Sequence, residues 1–245
     1  MAKLTTPLVP IEVRSIYGNK GPLPKRMALC TPDTKLAIEG VVSDLRSLGH
    51  ELELSDLFRS FEMQKQANLD FVQKRKPAFS PPPGGSMHEA GRAMDISLES
   101  MGVPLAKFWE IAKGRGFFPI IATPNTKLSE SWHFDLRGSH TRVYEYVQSG
   151  KAGLHLAPYT QMAASGIAAI GVQLETLPDQ DIAWVQATLI RLGFDPGRID
   201  GVQGDRTNNA LKDAGVDIQD PIGGLSRLLQ SMFPLEYPKA AAAVP

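Results

Sequence analysis

A single cysteine, Cys30, stands among the 245 residues. No internal disulfide can form, and a thiolate cluster of the kind that builds structural zinc sites is excluded. Any metal here must rest on histidine and carboxylates. Cys30 lies in the stretch from Met27 to Pro32, with no histidine near it in sequence, and reads as a buried small side chain rather than a nucleophile. A charge excess of one sign is also missing, since 26 Lys and Arg face 26 Asp and Glu. Without a positive field to neutralise phosphates, nucleic acid is not an expected partner. Long apolar runs are absent as well. The most apolar segment, Met162 to Leu174, is interrupted by Ser165, Gly166 and Gly171 and falls short of the roughly 20 residues that span a bilayer. It reads as a packed helix or a linker, and no membrane insertion is expected. From Met1 to Tyr17 the apolar positions are broken by Pro7, Pro10, Glu12 and Arg14, so no secretory apolar core can be drawn and synthesis in the cytoplasm is expected.

What remains is ordinary globular material, with 42% hydrophobic residues, enough for one large domain or two small ones. Leu36, Ile38, Val41, Val42, Leu45 and Leu48 recur at helical spacing behind Thr31, Pro32 and Asp33 and before Gly49, which predicts a helix over 33–48. Alternation predicts strands over 51–58, 92–98, 117–121 and 131–137, and helices are expected over 61–74 and 105–115. Between 76 and 85, Pro77, Pro81, Pro82, Pro83, Gly84 and Gly85 forbid a regular ladder and predict a surface loop. The irregular mixing of helix and strand predicts an α+β fold with a small antiparallel sheet. Expected domain spans are 1–150 for the first domain, 151–177 for a linker rich in Ala, Gly and Gln, 178–237 for a second domain, and 238–245 for a frayed tail. Between Pro178 and Pro234 the second domain carries eight Asp against five Lys and Arg.

The chemistry concentrates in Ser86-Met87-His88-Glu89-Ala90-Gly91-Arg92-Ala93-Met94-Asp95 and, some forty residues on, Glu130-Ser131-Trp132-His133. Taken singly, His88 and His133 read as solvated or packed histidines; together with Asp95 they form a ligand set for zinc. Three protein ligands leave a fourth tetrahedral position for water, whose pKa the ion lowers to about 7. His88 leaves the loop, Gly91 lets the chain reverse, and Asp95 returns on the polar face of a strand. Glu130 stands at the entrance to the strand of His133, placed to take a proton from that water. Strict strand parity sets Glu130 opposite His133, so a twist or bulge is expected at 129–131.

The pattern Ser-x-His-x-x-Gly-x-Ala-x-Asp followed by Glu-x-Trp-His resembles the zinc D-alanyl-D-alanine carboxypeptidase family, which is related to hedgehog-type metallopeptidases. A weaker likeness extends back to Phe58-Arg59-Ser60-Phe61-Glu62 and Gln64, so that the resemblance covers about residues 31–146. It implies one zinc ion on His88, Asp95 and His133, Glu130 as catalytic base, and Arg59 steadying the oxyanion. Ser86, Trp132 and Gln64 are implied on the substrate side. Ser131 stands where the dipeptidase branch of the family carries a further tryptophan, which points away from free dipeptides and towards polymer substrates. His50, His140 and His155 have no matched role and read as surface or capping residues.

In the second domain, Ile182-Ala183-Trp184-Val185-Gln186, Leu192-Gly193-Phe194, Asp195-Pro196-Gly197 and Ile199-Asp200-Gly201 resemble the three-helix peptidoglycan-binding domain. Its mechanics are legible: a helix stopped at Gly193, a turn on Asp195, Pro196 and Gly197, and a second helix opening near Asp205. Peptidoglycan is thus the expected partner and a monomer the expected state. A wall-binding module raises the effective concentration of a tethered active site. The two resemblances together imply a peptidase of the wall's stem peptide or cross-link; with no secretory segment visible, a phage-type endolysin released through a holin-made lesion is expected, and lysis in turn calls for an endopeptidase. A wall-remodelling carboxypeptidase and a non-catalytic wall-binding or virion protein are the rival expectations.

Overall fold

The computed structural model describes residues 2–151, 158–175 and 177–238. The chain divides into two compact units, Leu8–Gly138 and a second made of Met1–Pro7 with Ser139–Pro245. The architecture is α+β, with strands in the first unit and helices alone in the second among the described residues.

The first unit contains β1 (Val9–Pro10), β2 (Arg14–Ser15), β3 (Leu29–Cys30), α1 (Pro32–Ser47), β4 (Glu53–Asp56), α2 (Phe61–Val72), β5 (Ala93–Ile96), α3 (Leu105–Gly114), β6 (Phe117–Pro119) and β7 (His133–Leu136). β1 pairs with β3, and the other five strands form one sheet in the order β2-β4-β5-β7-β6. The pairs β4–β5, β5–β7 and β6–β7 are antiparallel. β2 departs from the expected all-antiparallel pattern by pairing in parallel with β4. A two-residue strand in a segment with no alternation offers nothing from which that pairing could be read. Helix α1 begins with Pro at its first turn and buries Thr34, Ile38, Val41 and Leu45; Ile38, Val41 and Leu45 belong to the predicted stripe, while its Leu36 and Leu48 are exposed. Each of those three aliphatic side chains contributes about 1.5–3 kcal/mol through burial. They join Leu54, Met94, Phe108, Phe117 and Phe134 in one core. Cys30 is fully buried there, and burial pushes its thiol up to about 12. It is the packed side chain expected.

Two features tie the sheet to the site. Arg92, at the head of β5, is buried and donates Nη1 and Nη2 to the two carboxylate oxygens of Asp33 at 2.9 and 2.8 Å, a bidentate clamp between α1 and β5. Gly91 sits at φ +64°, and a Cβ there would lie 2.7 Å from Leu8 Cδ2 and 3.2 Å from the Cys30 backbone. Only glycine fits this reversal.

The second unit holds α4 (Thr141–Gln148), α5 (Pro158–Ala169), α6 (Gln180–Leu192), α7 (Asp205–Asp213) and α8 (Pro221–Met232). Helix α6 is buried from Ala183 to Leu192, capped by the Asp179 side chain at one end and by Gly193 in the left-handed region at the other. Gln186 anchors the following loop: its Oε1 accepts from Asp200 N and Gly201 N, both at 3.0 Å. Its Nε2 donates to Asp200 Oδ1 at 2.9 Å and Val202 O at 3.0 Å. The compact units meet between Gly138 and Ser139, not at residue 150, and α4 and α5 pack with α6. The reason is tertiary packing. α4 buries Val143, Tyr144 and Tyr146, and Ala163, Ala164, Ile167 and Ala168 of α5 are buried, the alanines letting helices approach closely. Residues 152–157 of the expected linker, His155 included, and residues 239–245 of the expected tail lie outside the described residues.

Candidate metal centre

The register of the sheet sets the site. Asp95 of β5 faces His133 of β7 across the antiparallel pair, and Asp56 of β4 faces Asp95 from the other side. His88 arrives from the loop before β5, where successive turns run from Ser86 to Arg92. Its carbonyl accepts from both Gly91 N at 3.1 Å and Arg59 N at 3.2 Å. The Glu89 carboxylate accepts from Gly84 N and Ser86 N, closing the proline-rich loop on itself.

Three donor atoms converge. His88 Nε2 lies 3.2 Å from Asp95 Oδ1 and 3.2 Å from His133 Nδ1, and the latter two are 2.9 Å apart. Ligands on a tetrahedral zinc at ordinary bond lengths are separated by about 3.3 Å. The outer nitrogens settle the protons. His88 Nδ1 is 2.7 Å from Leu57 O, a carbonyl that only accepts, so Nδ1 carries the hydrogen. His133 Nε2 is 2.8 Å from Asp135 Oδ1 and donates in the same way. In the neutral rings both inner nitrogens are then bare, and three lone-pair donors point at one spot. Such a set calls for a cation. Burial works against charge on Asp95, yet the His88 and His133 rings hold its carboxyl well below the usual range. Burial likewise opposes a charged His133, but Asp135 and Asp95 push it up to about 10. Without an ion His133 therefore holds a proton that a bound metal would displace, and His88, Asp95 and His133 fit a metal ion by number, spacing and chemistry.

Arg59 stands behind Asp95. Its Nη2 is 3.4 Å from Asp95 Oδ2, its Nε donates to Asp56 Oδ2 at 2.6 Å, and its Nη1 donates to Gln64 Oε1 at 3.2 Å. Burial opposes the charge on the guanidinium, and Asp56 and Asp95 outweigh it. Glu130 adopts φ +65°, a left-handed conformation unusual for glutamate, and its carbonyl accepts from His133 N at 3.0 Å. This turn is the departure from strand geometry that parity demands. Burial raises the pKa of the Glu130 carboxyl, against the pull of the neighbouring His133 ring. Ser86 Oγ accepts from His88 N at 3.3 Å, within its own turn. Trp132 packs partly buried against the core. Gln64 is fully buried, with its amide spent on Arg59, Ser80 Oγ and Pro81 O. A cleft of about 660 Å³ opens beside Arg59, lined also by Tyr17, Met27, Asp56, Met63 and Phe79.

Asp135 is the residue the sequence reading passed over. The spacing His133-x-Asp135 was the available signal, because alternate residues of a strand share a face.

No curated protein matches the chain. Among solved structures, it is similar to the LdcB LD-carboxypeptidase, described in connection with the molecular basis of peptidoglycan recognition. That likeness has 20% identity and a TM-score of 0.42, and covers 53% of this chain and 67% of that one. It is also similar to the L,D-carboxypeptidase DacB from Streptococcus pneumonia, at 20% identity and a TM-score of 0.36, covering 60% of this chain and 92% of that one. Among the described residues no helix is long and apolar enough to cross a membrane. Residues 178–214, which span α6, the Gln186-anchored loop and α7, match the family model described as "Putative peptidoglycan binding domain".

Proposed function

We propose that this chain is a zinc-dependent peptidase of the peptidoglycan stem peptide or cross-link, an endopeptidase of the endolysin type, held to the wall by its second unit. The observation that carries the reading is the convergence of three potential ligand atoms, His88 Nε2, Asp95 Oδ1 and His133 Nδ1, within 3.2 Å of one another. Zinc on these residues would supply a Lewis acid that polarises a carbonyl and brings the pKa of water to about 7. Glu130 takes the proton from the attacking water and returns it to the amide nitrogen as the carbon–nitrogen bond breaks. Its raised pKa suits both directions of transfer. Arg59, locked by Asp56 and Gln64, offers a fixed cation to the negative charge that develops on the carbonyl oxygen. The cleft beside Arg59 is where the peptide lies. Ser86 and Trp132, neighbours of His88 and His133 in sequence, are kept as contacts for it, and Gln64 acts behind Arg59.

The second unit supplies peptidoglycan as the partner, and an endolysin acting as a monomer on the wall after holin-type release is the setting that combines binding with lysis. Trimming a terminal residue leaves cross-links intact, so lysis requires endopeptidase action. The test is cleavage of purified walls by the protein, by Glu130→Ala and by a chelated sample, with mass spectrometry of the products. The expected result is cleavage inside the stem peptide or cross-link, lost on chelation, restored by zinc, and reduced about 10²–10⁴-fold in Glu130→Ala. Release of single terminal residues without clearing of the suspension would transfer the reading to a wall-remodelling carboxypeptidase. Wall binding with no cleavage at all would make the chain a binding protein.

A further inference from the structure

Building on the zinc reading of His88, Asp95 and His133, we propose that Asp135 is a positioning residue of the metal centre, fixing the tautomer and the basicity of His133. The two histidines use opposite nitrogens, His88 presenting Nε2 and His133 presenting Nδ1. Each therefore needs a separate anchor for its outer N–H. For His88 the anchor is a neutral one, the Leu57 carbonyl at 2.7 Å. For His133 it is a carboxylate, Asp135 Oδ1 at 2.8 Å from Nε2.

The geometry follows from strand parity. His133 and Asp135 lie two apart on β7 and so on one face, opposite Asp95 and Ala93 of β5. Alanine opposite Asp135 leaves space that a larger side chain would take. Both members of the pair are buried, Asp135 at 5% exposure and His133 at 9%, so the hydrogen bond is shielded from water and strong. Asp135 reaches the far nitrogen of the ring, not the point where the three donors meet. It thus acts through His133 and not as a ligand. A carboxylate on the outer N–H leaves more electron density on Nδ1 than a carbonyl would, and it adds negative charge near a divalent cation. Loss of such an outer partner costs about 10–100-fold in metal affinity.

The experiment compares zinc dissociation constants of the full chain and of Asp135→Asn, by competition with a chromophoric chelator at one fixed pH. Asparagine keeps the shape, so the zinc-free variant should still unfold in one cooperative transition, at a midpoint lowered by loss of the charged partner of His133. Zinc binding 10–100-fold weaker in Asp135→Asn, with an unchanged zinc-free fold, is the expected result. Equal affinity within about twofold would overturn the role of Asp135 while leaving the zinc site standing. If the parent itself fails to bind zinc, or binds it equally well as His88→Ala, the zinc reading and this inference fall together. A measurement on the parent protein guards against a variant that does not fold: in the zinc-loaded chain, long-range proton–nitrogen NMR should show His133 with hydrogen on Nε2 and none on Nδ1. The opposite tautomer would overturn the proposal.

Discussion

Each candidate residue at the centre is held by a partner that leaves it little freedom. Leu57 O and Asp135 orient the histidines, Arg59 takes the second oxygen of Asp95, and Asp56 with Gln64 orients Arg59. Glu130 combines a side-chain partner, Ser129 Oγ donating to its Oε1 at 3.3 Å, with a backbone in the left-handed region. A non-glycine residue there is strained by about 1–3 kcal/mol and persists where the surroundings impose it. Burial is the largest influence on its carboxyl and raises its pKa. The base must be ionised to accept a proton, so activity should fall as pH drops through this raised value. A pH–rate profile of kcat/KM for a soluble wall peptide should therefore show an acidic limb above the ordinary glutamate range. The limb should disappear from the residual activity of Glu130→Gln, and a limb that persists there belongs to another group.

At the level of elements, a loop, two strands and a helix start are locked together around the motif. The reversal at Gly91 sends β5 back beside β7, while Arg92 and Asp33 clamp β5 to the head of α1. Gly91→Ala places a methyl 2.7 Å from Leu8 and 3.2 Å from the Cys30 backbone at a positive φ. The expected cost is about 1–3 kcal/mol, read as a lower midpoint in thermal or denaturant unfolding, together with weaker zinc binding because His88 is displaced. An unfolding midpoint equal to the parent's would show that the loop yields without cost. The second unit has a comparable anchor in Gln186, whose single amide serves Asp200, Gly201 and Val202.

For the whole molecule, the chain divides into two compact units, and under the proposed function one attaches to the wall while the other cleaves it. Gln186→Ala frees the loop of the segment that matches the peptidoglycan-binding model. Co-sedimentation with purified walls should drop while turnover of a soluble wall peptide stays within about twofold, since tethering changes effective concentration and not chemistry. A parallel loss of both activities would tie the units together more closely than this reading allows. Much of this was legible in the sequence. Periodicity marked α1, α2 and α3, the β5 and β7 alternation, and the stop at Gly193, because these depend on local spacing and on single residues with special backbone freedom. The motif had named His88, Asp95 and His133, whose donor atoms lie together in the fold. Other features were not. The two-residue strands β1, β2 and β3 carry no period to read, and α4 and α5 joined the helical unit because their buried faces are completed only by α6. Leu57 became visible as an anchor only when the fold brought it beside His88, whereas Asp135 was signalled by its place two residues from His133 on one strand face. The chain alone determines which groups exist and which local shapes they favour; which nitrogen of each histidine is bare depends on hydrogen bonds between residues up to 31 positions apart, and only the folded sheet brings those together.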